Sequence, residues 1–477
     1  MNPASKNIGT IALVSVVIIV LMVFCQLSQY SLLIPILLLS IGIYLQYLNK
    51  ANLKLFLNFG LLLMLIVFIA HAVTQYTTIP YYYIPVAGMA MLTMLLFNDL
   101  QLSFLMSFLG SILVSLIVGG DFGVMLTFFI GSLAGSYAVQ GARARGKLMG
   151  AGLFVSATHL VCLFLLNPNL QLILQRSFDV NYLYPLAANG FISVVLVIGT
   201  LKIFEYLFGA LTNYSLLELS DFNQPLLKRM ILEAPGTYHH SLVVSNLSEA
   251  AADAIEANAL LARVGAYYHD IGKMVKPEYF TENQLLGGNK HDYIEPSMSR
   301  LVILNHVKEG IELAKKNKLN QAIIDFIPQH HGTSLIHYFH QKALEAAEDG
   351  EHVDESDFRY PGPKPQARET AIVLLADSVE GAVRALDEQS PTRIEETVQK
   401  IINNKFIDGQ LDECNLTLKN IDKISSTFVR ILSAMYHSRI KYPEKKGNDG
   451  NSSRKSSEKS SSQPSSDKKD SQAGASL

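Results

Sequence analysis

Cysteine is scarce in this sequence, with only three among 477 residues. Cys25 and Cys162 lie in apolar runs and Cys414 stands alone, so the sequence supports neither a disulfide framework nor a zinc site built from cysteines. An excess of positive charge is also missing, because the formal net charge is -2. Without a global basic surface, DNA is not an expected partner, and a nucleotide substrate would need a local binding site.

Charged residues are almost absent between residues 8 and 208, which consist mainly of apolar side chains and glycine. From Glu218 onward they appear at the frequency of an ordinary soluble domain. A membrane-spanning helix needs about 20 apolar residues. We therefore predict a transmembrane domain of about eight helices at residues 1–208, and two very short joints leave seven as an alternative. The predicted spans begin near Ile8, Tyr30, Leu55, Tyr82, Leu102, Phe122, Leu148 and Pro185.

Basic residues outside the spans indicate how the chain crosses the membrane. With eight spans, one side holds nearly all of them, whereas the longest loop on the other side contributes only Arg176. The positive-inside rule then places both termini and the soluble domain in the cytoplasm of a bacterial inner membrane. His71 and His159 lie within spans that contain no acidic partner, so we favour neutral, hydrogen-bonded histidines over a proton path. The basic side contains Lys6, Lys50, Lys54, Arg143, Arg145 and Lys147.

Helical periodicity continues after the last predicted span. Residues 209–234 have the pattern of a helical connector, which Pro235-Gly236 interrupts. Residues 235–442 carry apolar side chains at three- and four-residue spacing and show no run of strands, so we predict an all-α fold class for the chain. Residues 443–477 are rich in Ser, Lys, Asp and Gly and nearly lack large apolar side chains, which predicts a disordered tail.

Histidine is concentrated early in the predicted soluble domain, because ten of the thirteen lie between residues 239 and 352. His269 and Asp270 end an apolar helix, with Gly272 as the predicted stop signal, and burying that pair without a ligand would be costly. Consecutive helical residues point about 100° apart, so Asp270 can reach a second metal ion. His240 shares an apolar helix face, unlike the histidine before it, and is the better ligand.

Three further histidines and one aspartate complete the predicted site. His306, His330 and His331 follow apolar helical stretches, and Asp377 lies in a fully apolar run where a lone carboxylate needs a partner. Five imidazoles and two carboxylates suit two divalent transition-metal ions, iron or manganese, better than magnesium. Such a pair, about 3.5 to 4 Å apart and bridged by a carboxylate and a hydroxide, can hydrolyse a phosphodiester or a phosphomonoester. One such histidine alone is more often a satisfied core residue, but the seven groups together favour a metal site.

Basic and hydroxyl side chains beside these ligands are candidates for holding substrate phosphates. We predict that Lys273 and Arg384 act in catalysis together with Asp270, and that Ser378 and Lys364 also contact the substrate. The alternative for Lys273 and Arg384 is a solvated surface position. No aromatic side chain can be assigned to an adenine base from the sequence.

The order of these ligands resembles the HD-domain phosphohydrolases in their two-metal form. Four longer segments look like the seven-transmembrane HD proteins of the PgpH type, and their motifs are highly specific. The segments are Pro235 to Ser241, Ile324 to Thr333, Phe358 to Pro365 and Ala376 to Arg384. The family plan of one anchor followed by seven further spans also fits the eight predicted here.

The resemblance implies a substrate and a division of the ligands. Proteins of this type hydrolyse cyclic di-AMP to linear pApA, so cyclic di-AMP is the implied substrate. Related cyclic di-GMP hydrolases carry a Gly-Tyr-Pro signature shortly after the histidine pair, and residues 332–335 read Gly-Thr-Ser-Leu instead. The resemblance further implies one metal ion held by His240, His269, Asp270 and Asp377 and a second held by Asp270, His306, His330 and His331.

Two alternatives to this function remain. Another cyclic dinucleotide or a nucleotide phosphate ranks second as substrate, and a non-catalytic membrane receptor or scaffold ranks third because none of the seven ligands is lost. The family places an extracellular domain between its first two spans, but only Gln26 to Gln29 stand there in this sequence. We expect the connector to transmit an unidentified membrane signal to the metal site, with the lipid bilayer and a second copy of the chain as further candidate partners.

Overall fold

A computed structural model of the chain describes residues 53–166, 180–284, 288–347 and 352–436. These residues form helices joined by turns, and within them there is no β-strand and one isolated bridge, between Leu335 and Arg359. The predicted all-α class is therefore confirmed. The first two predicted spans and the predicted disordered tail lie outside the described residues.

Six apolar helices form the described part of the membrane domain. Five of them are long and apolar enough to cross a membrane. Asp99 and Asp121 occupy the two short joints, and each carboxylate accepts a hydrogen bond from a backbone N–H in the first turn of the next helix. Both joints are thus true helix boundaries. The helices are α1 (Leu53–Tyr76), α2 (Val86–Phe97), α3 (Leu100–Val118), α4 (Phe122–Val139), α5 (Arg145–Leu166) and α6 (Val180–Phe208).

The span predicted to begin near Tyr82 is shorter than expected. A 3₁₀ turn at Tyr81–Tyr83 precedes α2, whose 12 residues rise about 18 Å and so fall short of about 30 Å of hydrocarbon. Every side chain of α2 from Val86 to Leu96 is buried among the other helices. The side-chain amide of Asn189 in α6 donates to the carbonyls of Tyr82 at 2.8 Å and Ile84 at 2.9 Å. These bonds satisfy irregular backbone within the apolar bundle.

Small residues let the membrane helices approach closely. A Cβ at Gly152 in α5 would lie 2.8 Å from the carbonyl oxygen of Gly190 in α6, so this crossing depends on glycine. A Cβ at Gly131 would overlap the imidazole of His159, which is fully buried and packs edge-on against Phe128. His159 therefore fills a space that α4 leaves by lacking a side chain.

The soluble part continues with helices as far as residue 436. The connector contains α7 (Asn213–Leu219) and α8 (Pro225–Glu233), and Pro235 then occupies the first turn of a new helix, where its missing N–H costs no bond. The remaining helices are α9 (Pro235–Ala254), α10 (Ala259–Tyr268), α11 (Pro296–Lys316), α12 (Gln321–Ile324), α13 (Phe326–Gln329), α14 (His337–Ala346), α15 (Arg368–Arg384), α16 (Pro391–Ile407) and α17 (Leu418–Met435). Helix α9 packs on α10, α15 and α17, around a core rich in Val, Ile, Leu and Ala.

Hydrogen bonds tie the connector to both sides of the junction. Glu205, near the end of α6, is buried and accepts from the hydroxyls of Thr212 and Ser215 at the start of the connector. The hydroxyl of Tyr268, beside the predicted metal ligands, donates to the carbonyl of Leu219 at 2.8 Å. The last membrane helix is thereby linked, through α7, to α10, the helix that directly precedes His269.

Candidate metal centre

The seven predicted ligands come from five helices or their ends. His240 lies in the second turn of α9, His269 and Asp270 follow α10, His306 lies in α11, His330 and His331 follow α13, and Asp377 lies in α15. Five of these side chains are buried, and His331 and Asp377 are half-buried. His239 is exposed, as the helical periodicity of α9 indicates. Four of the seven lie at or near a helix end, whereas His306 and Asp377 lie in the middle of α11 and α15, and the fold brings all of them together.

The ligand atoms form two groups that share Asp270, and within each group they lie within 4.8 Å of one another. One oxygen of Asp270, Oδ2, lies 3.1 Å from Nε2 of His269 and 3.8 Å from Nε2 of His240. The other oxygen, Oδ1, lies 3.4 Å from Nε2 of His306 and 3.5 Å from Nε2 of His330. Asp270 thus presents one oxygen to each group. The groups are His240, His269, Asp270 and Asp377, and Asp270, His306, His330 and His331.

Three imidazoles at the centre have a buried nitrogen without a hydrogen-bond partner. The Nε2 atoms of His269, His306 and His330 make no hydrogen bond within the described residues. Leaving a buried polar atom unpaired costs about 1–3 kcal/mol. These three nitrogens face the carboxylate of Asp270 from two sides, as ligands of two cations would. The donor set therefore fits a pair of divalent transition-metal ions.

Backbone carbonyls fix the orientation of the same three rings. Nδ1 of His269 donates to the carbonyl of Ala266 at 2.7 Å, and Nδ1 of His330 donates to that of Phe326 at 3.1 Å. Nδ1 of His306 bonds in the same way to the carbonyl of Ile303. With Nδ1 holding the proton, the lone pair remains on Nε2, which is the nitrogen that faces Asp270.

Gly272 brings two ligand-bearing segments into contact. Its predicted role as a helix stop is wrong, because it lies inside a 3₁₀ helix, Ile271–Val275, and not at a left-handed helix end. A Cβ at Gly272 would overlap the carbonyl oxygen of His306 and lie 2.6 Å from the backbone nitrogen of Gly310. The missing side chain therefore lets α11 approach close enough for His306 to reach Asp270.

Sequence reasoning missed a buried carboxylate behind His240. Oε2 of Glu380 accepts from Nδ1 of His240 at 2.6 Å, while Nε2 of the same ring lies 3.0 Å from Asp377. Glu380 stands one turn after Asp377 on α15, and that spacing was the available signal. Arg384, one turn further on, donates to Glu380 at 3.1 Å. The structure thus places Arg384 behind His240 and half-exposed to solvent, with its guanidinium 3.5 Å from Nδ1 of His240.

The proton affinities of two ligands differ because their surroundings differ. Burial opposes the charged form of His240, but hydrogen bonds to Asp377 and Glu380 outweigh it and raise its pKa to about 9 in the metal-free protein. Burial lowers the pKa of His306 to about 4, although the carboxylate of Asp270 opposes that change. His306 is therefore neutral at pH 7 and ready to bind a cation, whereas His240 must first release a proton.

Lys273 is buried and forms two ion pairs, which could not be predicted from the sequence. Its ammonium lies 2.7 Å from Oδ2 of Asp270 and 2.9 Å from Oε1 of Glu282, above the ring of Phe280. Burial disfavours its charge, but the two carboxylates outweigh burial and raise the pKa of Lys273. The solvated alternative for Lys273 is therefore excluded. Glu282 also accepts from the hydroxyl of Thr237, close to the start of α9.

The other predicted substrate contacts have different surroundings. Ser378 is half-buried directly beside Asp377. The ammonium of Lys364 lies 3.7 Å from a carboxylate oxygen of Asp412. Sequence reasoning missed Lys405 in the last turn of α16, which donates to the hydroxyl of Ser334 at 2.7 Å. Burial lowers the pKa of Lys405, although the carboxylate of Asp377 opposes that change.

Tyr360 covers the outer face of His331, one of the two half-buried ligands. Its ring stacks on the imidazole of His331 with centroids 4.0 Å apart and planes 20° apart. Tyr360 lies in the Phe358 to Pro365 motif, where Lys364 is the one residue predicted to contact the substrate. Its backbone N–H donates to the carbonyl of Ser334 at 3.0 Å, so the motif is tied to the segment after the histidine pair.

Two family models match the chain. The model described as a 7TM receptor with intracellular HD hydrolase matches residues 4–212, and the model of the HD domain matches residues 237–382. The first match lies within the predicted membrane domain and the start of the connector, and the second lies within the predicted soluble domain. The HD match includes all seven predicted ligands.

Named relatives carry one activity. The chain is 40% identical over 442 residues to the cyclic-di-AMP phosphodiesterase PgpH of Bacillus subtilis, covering 88% of this chain and 61% of that protein. It is 45% identical over 305 residues to the PgpH of Listeria monocytogenes, covering 63% and 42%. The chain therefore spans less than two thirds of the length of either relative. A crystal structure of the Listeria PgpH HD domain in complex with cyclic-di-AMP matches with 50% identity and a TM-score of 0.44, over 46% of this chain and all of that one.

Proposed function

Since the chain belongs to the PgpH-type family of seven-transmembrane HD proteins, we propose that it is a membrane-bound phosphodiesterase that hydrolyses cyclic di-AMP to linear pApA. The observation that carries the proposal is the pair of ligand groups joined by Asp270. Substrate choice is supported by two named relatives, both cyclic-di-AMP phosphodiesterases, and by the absence of the Gly-Tyr-Pro signature after His331.

We assign the two ligand groups to two divalent ions, with iron or manganese favoured by the five imidazoles. When bound, such a pair neutralises charge on a phosphoryl group and activates water for in-line attack. Asp270 would hold both ions at a fixed separation, because each of its oxygens faces one group. Glu380 orients His240, and the backbone carbonyls behind His269, His306 and His330 orient the other rings.

Basic side chains around the centre divide into two proposed roles. Lys273 holds Asp270 and Glu282, and Arg384 holds Glu380, so both are positioned by carboxylates of the protein. We propose that they position ligands of the metal centre more directly than they contact substrate. Ser378 and Lys405, which flank Asp377 and Ser334, are then the better candidates for phosphate contacts, together with Lys364.

We propose that the HD domain is cytoplasmic. The hydroxyl of Tyr214 in α7 donates to the carbonyl of Ala144, so the basic joint before α5 lies on the face of the membrane domain where the connector begins. Lys54 also lies on that face, because a Cβ at Gly209 would be 3.1 Å from its ammonium. Basic residues on the face that carries the HD domain agree with the positive-inside rule.

The connector from Gly209 to Glu233 is proposed to transmit the state of the membrane domain to the metal centre. Its contacts support this, since Glu205 anchors one end and Leu219 bonds to Tyr268, next to His269. The full-length protein and a fragment that begins at Ser220 should differ in rate under at least one membrane condition. Equal rates under every condition would contradict the coupling.

The substrate is tested by product formation with the purified full chain, supplied with manganese or iron and given cyclic di-AMP or cyclic di-GMP. We expect conversion of cyclic di-AMP to pApA and loss of that activity in Asp270→Ala. Asp253→Ala changes an exposed aspartate on α9 and should retain activity. Turnover of neither dinucleotide by a chain with two bound ions would contradict the substrate, and full activity in Asp270→Ala would contradict the site.

A further inference from the structure

His331 differs from the other four histidine ligands in how its ring is held. Each of those four imidazoles has a hydrogen bond to Glu380 or to a backbone carbonyl. The ring of His331 has no hydrogen bond within the described residues: its Nδ1 lies 3.9 Å from Oδ2 of Asp377, and its face stacks on Tyr360. The place of His331 in the second ligand group therefore depends on the backbone that carries it.

The chain turns sharply directly after His331. Gly332 has a backbone φ of 55°, in the left-handed region, and the N–H of Ser334 donates to the carbonyl of His331 at 3.1 Å. A Cβ at Gly332 would collide with Oε1 of Gln410. The turn thus needs glycine both for its backbone conformation and for the close approach of Gln410.

Gln410 is fully buried and uses both ends of its amide to hold Thr333. Its Oε1 accepts from the backbone N–H of Thr333 at 2.8 Å, and its Nε2 donates to the hydroxyl of the same residue at 2.9 Å. The same Nε2 donates to Oδ2 of Asp408 at 2.9 Å. Since an ionised carboxylate can only accept, this bond determines which end of the amide faces the backbone of Thr333.

The end of α16 fixes the position of Gln410. Gly409 has a φ of 68°, and its N–H donates to the carbonyl of Phe406 at 3.0 Å. The N–H of Gln410 donates to the carbonyl of Lys405, also at 3.0 Å. These two bonds form a Schellman motif, the common way for a helix to end at a left-handed glycine. Gln410 lies beyond residues 237–382, which the HD-domain model matches.

A second side chain holds the carbonyl of Thr333. The guanidinium of Arg359 donates to that carbonyl at 2.9 Å and to Oδ1 of Asp408 at 2.9 Å. Asp408 therefore connects Arg359 with Gln410. The N–H, the carbonyl and the hydroxyl of Thr333 are all engaged, so the turn after His331 is fastened to the end of α16.

We propose that Gln410 is a positioning residue of the metal centre, which holds His331 in the second ligand group by fixing the turn that follows it. This inference rests on the proposed two-ion function. Gln410 acts through Gly332 and Thr333 and does not itself contact an ion or the substrate. Its loss should therefore weaken the ion bound by the second group more than the ion bound by His240.

The first test is hydrogen–deuterium exchange of the metal-free, detergent-solubilised full chain, because it reports on the turn without any bound ion. In Gln410→Ala the amide of Thr333 loses its acceptor, so exchange within residues 330–336 should rise about tenfold. The peptide that contains His269 should not change. Gln399→Ala is the matched control, since Gln399 lies on α16, is exposed, and also donates to a hydroxyl, that of Ser425.

The second test is a calorimetric titration of the same variants with Mn²⁺, with His240→Ala and His306→Ala showing which binding event belongs to which group. In Gln410→Ala the ion of the second group should bind about tenfold more weakly, and the other ion should keep its affinity. Thr333→Val removes only the hydroxyl, so it should weaken the same ion by about threefold. Thr333→Ser restores the hydroxyl and should restore the affinity. These two variants test the proposal even if Gln410→Ala does not fold.

The two measurements separate the possible failures. Faster exchange at the turn together with selective weakening of the second ion would support the proposal. Unchanged exchange in Gln410→Ala, or faster exchange with unchanged metal affinity, would overturn it. Equal weakening of both ions, or the same changes in Gln399→Ala, would show a general loss of stability and overturn it as well. A wild-type chain that binds fewer than two Mn²⁺ ions would contradict the proposed function, whereas the exchange result would still decide whether Gln410 fixes the turn.

Discussion

Several polar side chains that join the membrane helices are hydrogen-bonded to backbone, whereas several of those at the candidate metal centre are not. In the membrane helices, the hydroxyls of Ser103 and Ser107 donate to backbone carbonyls at 2.8 Å, and Asn189 satisfies two carbonyls of irregular backbone. In the HD domain, the Nε2 atoms of His269 and His306 are buried without a hydrogen-bond partner. The hydrogen-bonded groups of the membrane helices stabilise the structure, whereas the unpaired histidine nitrogens of the HD domain are available to bind a ligand.

The contrast also explains where glycine is needed. In the membrane domain, Gly152 lets two helix backbones pack closely without any chemical group between them. In the HD domain, Gly272 lets α11 approach Asp270 so that His306 can join the second ligand group. The same lack of a side chain serves packing in one region and ligand geometry in the other.

The largest expected effect comes from Gly272→Ala, which would force a Cβ against the backbone of α11. We expect a loss of about 2–3 kcal/mol in the free energy of unfolding, because backbone cannot move aside like a flexible side chain. Gly381→Ala is the control, since a Cβ there meets open space on α15 and replacing glycine within a helix should stabilise it slightly. Denaturant unfolding of the metal-free full chain measures both, and equal stability of the two variants would contradict the close contact.

Glu380→Gln separates the two ligand groups. It removes the carboxylate behind His240, so we expect the ion bound by His240, His269 and Asp377 to lose about 10- to 100-fold in affinity. The ion bound by His306, His330 and His331 should lose little. Glu396→Gln, at an exposed position of α16, should change neither affinity. Calorimetric metal titration resolves the two events, and equal weakening of both would argue against this assignment.

A pH series sharpens the difference between the groups. His240, with a pKa of about 9, is protonated at pH 6 and must release its proton to bind a metal ion. The affinity of its group should therefore rise by up to about tenfold per pH unit between pH 6 and 8. His306, with a pKa of about 4, is already neutral across that range, so its group should change little. Titrations in buffers of different ionisation enthalpy count the released protons, and the opposite order of pH sensitivity would refute the assignment.

The smallest expected effect tests the membrane region. Asn189→Leu would remove two hydrogen bonds to the backbone before α2 and lower stability by about 0.6–1.5 kcal/mol. Metal binding by the HD domain should not change, because Asn189 only donates hydrogen bonds to backbone carbonyls within the membrane domain. A lower unfolding midpoint in detergent with unchanged metal content is the expected result. Loss of bound metal in Asn189→Leu would contradict the claim that this residue has a structural role only.

Each predicted ligand leaves a local signal in the sequence. A histidine or aspartate at the end of an apolar helix, or within an apolar run as at Asp377, is costly unless paired, and the helical face distinguishes His240 from His239. The all-α class followed from the same periodicity.

Residues that depend on contacts between distant segments could not be predicted. Glu282 and Lys405 reach the centre only after the chain folds, and nothing in their local sequence marks them as buried. Gly272 is needed because the backbone of α11, more than thirty residues away in the sequence, packs against it. The local sequence does not show this contact, so the prediction of a helix stop was wrong. The short length of α2 likewise depends on burial among its neighbours.

The central claim is that Asp270 joins two metal ions, and counting metal tests it most directly. Elemental analysis of the purified full chain, wild type and Asp270→Asn, should find two ions per wild-type chain. Asp270→Asn should lose at least one of them, because each carboxylate oxygen faces a different ligand group. Two ions retained at unchanged affinity in Asp270→Asn, or a wild-type chain that binds a single ion, would contradict the account.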